Sequence, residues 1–508
     1  MTRVEVAIVG AGFGGLGMAI ALRRAGRADF VVLERAGSVG GTWRDNTYPG
    51  VACDVPSHLY GFQDHPNPNW SGVFARGEEI RGYLETVAER ENLGDRLRLR
   101  SPVLSAEWDA AASVWLIETG GDSAGTIEAE VLVLACGRLT EPSIPDIAGL
   151  ETFPGPLFHS SRWNHAADLD GARVALVGTG ASAIQVLPEL ARVAAHVALF
   201  QRTPAWIVPR GAADYSDEDR RRFAEHPDAL ARLRADLYAE GEARFASRSG
   251  DAAASAAARA SALAHLHGQV ADPALRAALT PDYTFGCKRV LLSDDFYPAV
   301  SGDRVTLEPS ALASVDGRSL TSADGTVHEA DVLVLATGFA STRQPYADLV
   351  RGEDGVALAE HWSAGMTSFG STVVSGFPNM FVLNGPNASL GHNSSVLMIE
   401  EQAAYAVRAL TARDAIAEGV LRVAPAAERA YTDEIAAAAR TTPWIAGGCR
   451  NWYVDDRSGR LTLLWPGTVD AFHDRLARAD GSEFLAAAQP TRTDTNGTPV
   501  QGVPRGAS

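Results

Sequence analysis

The chain has 508 residues, 46% of them hydrophobic and 21% charged, which is enough to bury the cores of two or three domains. Its formal net charge of −17 argues against nucleic acid or an anionic membrane surface as partner, because both would repel it. Cys53, Cys136, Cys287 and Cys449 lie far apart, with neither a CxxC nor a metal-ligand spacing, so reduced packing cysteines and no metal site are expected.

Val4 to Val9 reads as a buried strand at the very start, leaving no room for a cleavable leader. No later apolar run reaches the roughly 18 residues of a membrane span. A cytoplasmic protein, monomeric or a small homo-oligomer, is the expectation. The strand runs into Gly10-Ala-Gly12-Phe-Gly14-Gly15 and then a helical pattern. That is the context in which glycines bring backbone close to a pyrophosphate and a helix start offers it free N–H groups. The next strand, Phe30 to Leu33, delivers Glu34, 22 residues beyond Gly12. A carboxylate there suits ribose hydroxyls, so this unit reads as an FAD site. It closes near residue 140, after a strand from Glu130 to Ala135 and the pair Cys136-Gly137.

Residues 141–164, rich in Pro and Gly, read as a linker. A second dinucleotide-binding unit is expected over 165–338, with strand Val174 to Val177, fingerprint Gly178-Thr-Gly180-Ala-Ser-Ala183 and strand Val197 to Phe200. Arg202 lies 22 residues beyond Gly180, where the first unit has Glu34. Arginine suits a 2′-phosphate, so this unit reads as an NADPH site. Within it, residues of about 214–280 shift to Ala and Arg, with Phe223, Leu230, Leu233 and Leu237 at helical spacing, and read as a helical insertion. Strands at Val305 to Leu307 and Val332 to Leu335 resume the α/β pattern. Asp331 to Gly338 resembles Glu130 to Gly137, as though the chain left the first domain and came back. The fold expected is α/β, with two Rossmann-like domains, the NADPH domain inserted in the FAD domain. Residues 339–488, with a helix from Ser394 to about Ala412, complete the first domain, and 489–508 read as a disordered tail.

A chain with both dinucleotides passes hydride from NADPH to FAD. A disulfide reductase would need a close redox cysteine pair after Glu34, and only Cys53 is there. An oxygenase needs a positive charge in a dry pocket. Phe153-Pro-Gly155-Pro-Leu-Phe-His159-Ser-Ser-Arg-Trp163-Asn164 fits FxGxxxHxxxW just ahead of the second fingerprint. In this the chain resembles the Baeyer–Villiger monooxygenases, with Asn164 where Pro or Asp is usual. Gly40-Gly41-Thr42-Trp43, Tyr48-Pro-Gly50 and Cys53-Asp54 are similar to the family's segment over the flavin, Asp54 matching its active-site aspartate. Lys288-Arg289 is similar to the pair whose lysine assists NADPH phosphate recognition and whose arginine faces the flavin. Gln201-Arg202-Thr203-Pro204 and Asn451-Trp452, with Asn for the usual Ser, extend the resemblance to about residue 475.

The resemblance implies a ketone substrate, dioxygen, a peroxide on the flavin, and an ester or lactone as product. Arg289 would hold the anion, oriented by Asp54; a surface pair of Arg289 with Asp294 or Asp295 is the plainer reading. His159 would couple the domains, whose rotation about 153–164 would let one nicotinamide serve two steps. Gly385-Pro-Asn387 precedes a helix start that would face the flavin, and Trp43, Tyr48 and Trp452 are candidate lids. Gly10, Gly12 and Gly15 join Glu34 at FAD; Gly178, Gly180 and Ala183 join Arg202, Thr203 and Lys288 at NADPH. Two alternatives stay open: a flavin monooxygenase acting on amines or sulfides, and a non-oxygenating NADPH-dependent flavoprotein.

Overall fold

Thr2–Val9 runs parallel to Phe30–Leu33 on one side and to Gly125–Leu134 on the other. Their inner stretches, Val6–Ile8, Phe30–Leu33 and Val131–Leu134, are apolar and buried on both faces, as a parallel sheet covered by helices requires. In this computed structural model, which describes residues 2–485, they form the centre of an eight-stranded sheet. Its order is Val350–Arg351, Val103–Asp109, Val114–Thr119, Gly125–Leu134, Thr2–Val9, Phe30–Leu33, Leu97–Arg98, with Met380–Val382 also paired to Gly125–Leu134. Val103–Asp109 and Val114–Thr119 are antiparallel, a hairpin that the sequence reading did not anticipate. Val350–Arg351 and Met380–Val382 come from late in the chain, so both ends of the sequence build this sheet around an inserted domain. The expected tail, 489–508, lies outside the described residues.

The second sheet is wholly parallel, in the order Val305–Glu308, His196–Phe200, Arg173–Val177, Val332–Leu335, Leu157–His159. Leu157–His159 belongs to the segment expected as a linker; the structure makes it the sheet's edge strand. The two crossings between the sheets run side by side, the Ser143 N–H donating to the Gly338 carbonyl at 2.8 Å and the Ala340 N–H to that of Glu141 at 3.0 Å. A small antiparallel meander, Leu312–Asp316, Ser319–Ser322 and Val327–Glu329, covers one face of this sheet.

The inserted segment folds as helices Asp217–Glu225, Pro227–Ala243, Ala252–Gln269 and Pro273–Leu279. Ser216, Asp251 and Asp272 cap three of them, and Pro227 and Pro273 occupy first turns, where no N–H is needed. Phe223 and Leu230 are buried but sit on separate helices, because His226-Pro227 ends the first; Leu233 and Leu237 are half-buried. The insertion is fastened to the first domain where the Asn393 amide donates to Glu242 Oε1 at 2.9 Å. Ser395–Arg413 is the late helix, packing its Met398 and Ile399 face against Leu16 and Ile20 of Phe13–Arg24.

The expectation of four reduced cysteines is overturned. Cys287 and Cys449 form a disulfide across a separation of 162 residues, brought together by tertiary folding that no sequence spacing encodes. Cys53 and Cys136 are free, and burial raises both thiols, Cys136 to about 12. Among the described residues no helix is long and apolar enough to cross a membrane, and no group of His, Cys, Asp and Glu side chains could hold a metal.

Candidate active site

The two fingerprints share one backbone solution. Gly10 has φ +105°, and a Cβ there would stand 2.5 Å from the Ala135 carbonyl oxygen; Gly178 has φ +114°, and a Cβ would stand 2.5 Å from that of Ala336. Each glycine lets its strand end pass the next crossing strand. Gly12 and Gly180 then stand as the N-caps of Phe13–Arg24 and Ala181–Val193 with no side-chain cap, which leaves both helix starts open to an anion. Gly15 and Ala183 lie buried in the first turns. This donor set fits a pyrophosphate at each site.

Glu34 is buried, one oxygen accepting the Ala11 N–H at 2.9 Å, the other the Ala36 N–H at 2.9 Å and Arg44 at 3.0 Å. The carboxylate is fixed at the end of its strand with lone pairs left for a ribose. Arg202 is exposed and close enough to Lys288 that burial and then the Arg202 charge pull the Lys288 ammonium down. Two cations facing each other without an ion pair among the described residues fit a phosphate between them. Thr203 sits beside them, its carbonyl accepting the Thr179 hydroxyl at 3.0 Å.

Between the domains, Arg289 reaches across 235 residues of sequence to Asp54, with Nε and Nη2 at 2.9 and 2.5 Å from the same oxygen. The alternative partners stay apart: Asp294 instead accepts the Arg210 and Gly211 N–H groups at 2.9 and 3.0 Å. Asp54 raises Arg289 well above its ordinary range against the opposing effect of burial, so its charge is permanent. Gly41 and Thr42 start the short helix Thr42–Asp45, which carries Trp43, whose indole N–H donates to the Tyr60 hydroxyl at 3.3 Å. Trp452 packs on Tyr453 with ring centroids 4.5 Å apart.

Three of the expected residues are held by protein partners. Tyr48 joins the core of the second domain and donates to Gln185 Oε1 at 3.0 Å, a bond between the two domains. The Asn387 amide donates to the Leu461 and Leu464 carbonyls at 2.7 and 2.9 Å, anchoring the closing segment. His159 is buried at the edge strand, its Nδ1 2.9 Å from the Ser161 hydroxyl and its ring 5.7 Å from that of Phe339, and burial lowers it to about 4. It is a neutral group at the domain crossing. Trp163 packs edge-on against Phe158 at 5.0 Å.

Sequence reasoning missed Arg138, Arg210, Arg248 and Tyr453. Arg210 donates to the Cys53 carbonyl at 2.9 Å, beside Asp54. Arg138 donates to Asn384 Oδ1 at 2.6 Å and to the Ser389 hydroxyl. Arg138 and Arg248 both feel the Arg289 charge, and the Tyr453 phenol acts on all three guanidiniums. The one available signal was position: Arg138 follows the strand-to-glycine crossing, and Tyr453 follows Trp452.

Two dinucleotide-binding folds, one inserted in the other and meeting at a guanidinium–carboxylate pair, define a flavoprotein oxidoreductase that uses a nicotinamide donor. Residues 7–218 match the pyridine nucleotide-disulphide oxidoreductase family. The chain is 45% identical to a Baeyer–Villiger monooxygenase of Streptomyces coelicolor, over 95% of this chain and 92% of that protein. It is 39% identical to a Baeyer–Villiger monooxygenase of Pseudomonas aeruginosa, over 97% and 93%. The crystal structure of cyclohexanone monooxygenase from Rhodococcus sp. Phi1 bound to NADP+ superposes with a TM-score of 0.84 at 26% identity, covering 96% of this chain and 100% of that one. The chain belongs to the Baeyer–Villiger monooxygenase family.

Proposed function

We propose that this protein is an FAD- and NADPH-dependent monooxygenase that inserts one oxygen atom of dioxygen beside a ketone carbonyl, giving an ester or lactone and water. The observation that carries the reading is the Arg289–Asp54 pair at the junction of the two dinucleotide-binding domains. When bound, NADPH supplies the hydride and FAD hands the electrons to dioxygen. The rest falls to side chains. The open helix starts behind Gly12 and Gly180 hold the pyrophosphates, Glu34 orients the flavin nucleotide, and Arg202 with Lys288 selects the 2′-phosphate. Arg289 presents a fixed positive charge where negative charge develops on oxygen, and Asp54 keeps the fork aimed while neutralising it at rest. Trp43 and Trp452 limit water, which would protonate the developing anion. His159 stays neutral and couples the crossing strands rather than moving a proton.

The proposal includes a cytoplasmic location, a monomer or small homo-oligomer, and a small ketone as substrate, with neither nucleic acid nor membrane as partner. Turnover of cyclohexanone under ¹⁸O₂, with the product analysed by mass spectrometry, tests the chemistry: one ¹⁸O in the lactone is expected. NADPH consumption that yields only hydrogen peroxide, or oxygen delivered to thioanisole and never to a ketone, overturns it.

A further inference from the structure

The Arg289–Asp54 pair is one of three side-chain contacts that the second domain makes with consecutive residues of one loop of the first. Gln185 Nε2 donates to the Ala52 carbonyl at 3.0 Å, Arg210 Nη2 to the Cys53 carbonyl at 2.9 Å, and Arg289 to the Asp54 carboxylate. Among the described residues, the Ala52 and Cys53 carbonyls accept from no other donor. The loop lies close against its partner: Gly50 has φ +81°, and a Cβ there would stand 2.6 Å from the Gln185 carbonyl oxygen.

Arg210 and Arg289 leave opposite ends of one short ribbon. Ile207–Val208 pairs in parallel with Leu291–Leu292; Arg210 lies two residues after the first strand and Arg289 two residues before the second. Asp294, just past the ribbon, accepts the Arg210 and Gly211 N–H groups at 2.9 and 3.0 Å, which fixes the backbone from which the Arg210 side chain springs. The guanidinium stands over the Phe74 ring, Cζ 5.0 Å from its centroid, and Nε is buried without an acceptor. A side chain kept only for packing would carry neither the charge nor the buried free donor, since both cost stability. Its Nη2 bond is to a backbone carbonyl, one peptide unit from Asp54.

We infer that Arg210 is a positioning residue for oxygen insertion: by holding the Cys53 carbonyl from across the domain boundary, it fixes the peptide that aims Asp54 and, through Asp54, the Arg289 guanidinium. This rests on the ketone-oxygenating reading above. Arg289 converges on a single Asp54 oxygen through Nε and Nη2, an arrangement that a loop free to rock would lose. Hydride delivery to FAD does not call on that aim, so the loss of Arg210 falls on the later step.

Hydrogen exchange of the FAD- and NADP⁺-loaded enzyme tests the grip without turnover. Arg210→Met keeps a stem over Phe74 and loses the donor; deuterium uptake across residues 50–56 should rise about twofold or more at early times. In turnover of cyclohexanone, lactone formed per NADPH consumed should fall about fivefold or more beyond any fall in the rate of flavin reduction, the difference appearing as hydrogen peroxide. Unchanged uptake in that segment overturns the inference, as does a yield that falls only in step with flavin reduction. Arg210→Lys, which still presents a donor, should keep about half or more of the wild-type yield, and a lysine variant as poor as the methionine one would show that the carbonyl bond is not what matters. Asp294→Ala frees the Arg210 N–H and leaves both arginine side chains in place. It should move uptake and yield in the same directions, and it decides the matter if the methionine variant does not hold FAD; no change in either then overturns the inference. If the wild-type enzyme oxygenates no ketone, the monooxygenase reading fails and the exchange result still settles whether Arg210 holds the loop. If ketones are oxygenated and Arg210→Met keeps its yield, the positioning role alone fails.

Discussion

The two nucleotide units place a glycine at the same distance from the opposing strand, 2.5 Å for a Cβ at Gly10 and 2.5 Å at Gly178, yet differ in everything that surrounds the ribose. Glu34 is buried and tied down by two backbone N–H groups and Arg44, whereas Arg202 is exposed and pairs with no acid among the described residues. The backbone geometry is what any dinucleotide needs; the side chains decide how long each one stays. On the proposed reading, a buried, prearranged carboxylate suits a cofactor that is kept, and an exposed arginine beside a half-buried lysine suits one that comes and goes with each turnover.

The strongest way to break this comparison acts at the junction of the units. Arg289→Ala should lower oxygenation by about a hundredfold or more, the scale of losing one prearranged charge partner, while NADPH still bleaches the flavin in stopped flow. Normal ester formation by that variant would remove Arg289 from the chemistry. Next in size, Arg202→Ala or Lys288→Ala should shift the NADPH-to-NADH preference by about tenfold each, or roughly 1.4 kcal/mol, read as kcat/KM for flavin reduction. Both coenzymes weakening alike would show that these cations do not read the 2′-phosphate. Glu34→Gln should loosen FAD and lower the melting temperature, since three donors lose a buried charged acceptor, about 1–3 kcal/mol. The mirror substitution at Arg202 should leave the melting temperature of the NADPH-free enzyme untouched.

Smaller effects sharpen the picture of how the units are joined. His159 is lowered to about 4 by burial, so the unfolded chain binds a proton that the folded one refuses between about pH 6.5 and 4. Stability contributed by the neutral ring is therefore present above that window and lost as pH falls through it. His159→Gln should flatten the acid side of the melting-temperature profile; an unchanged profile would mean that the ring titrates freely. Tyr48→Phe removes one interdomain hydrogen bond to Gln185, and about 1 kcal/mol is expected in thermal unfolding.

Much of the fold was legible because its strands are short apolar runs between glycines: Phe30–Leu33 and Val332–Leu335 begin and end where their sequence pattern does. The late helix is displaced by one residue from its expected start, since Ser394 caps it rather than joining it. In the hairpin Val103–Thr119 the first strand is interrupted by Ser105 and Glu107, which hides its pattern, while the second carries the short apolar run Val114–Ile117. Motif reading singled out Asp54 and Arg289, and the structure pairs them. It did not reach Arg138, whose partners Asn384 and Ser389 come from a segment far away in sequence, nor the commitments of Tyr48 and Asn387 to packing partners. Charge at a strand end is a local signal; the contacts of Arg138 with Asn384 and Ser389 are not.

Cys287 immediately precedes Lys288-Arg289, and Cys449 lies three residues before Trp452. Their bond ties the segment that carries Arg289 covalently to the closing segment that carries Trp452, so thiol reduction would leave those two segments held together by packing alone.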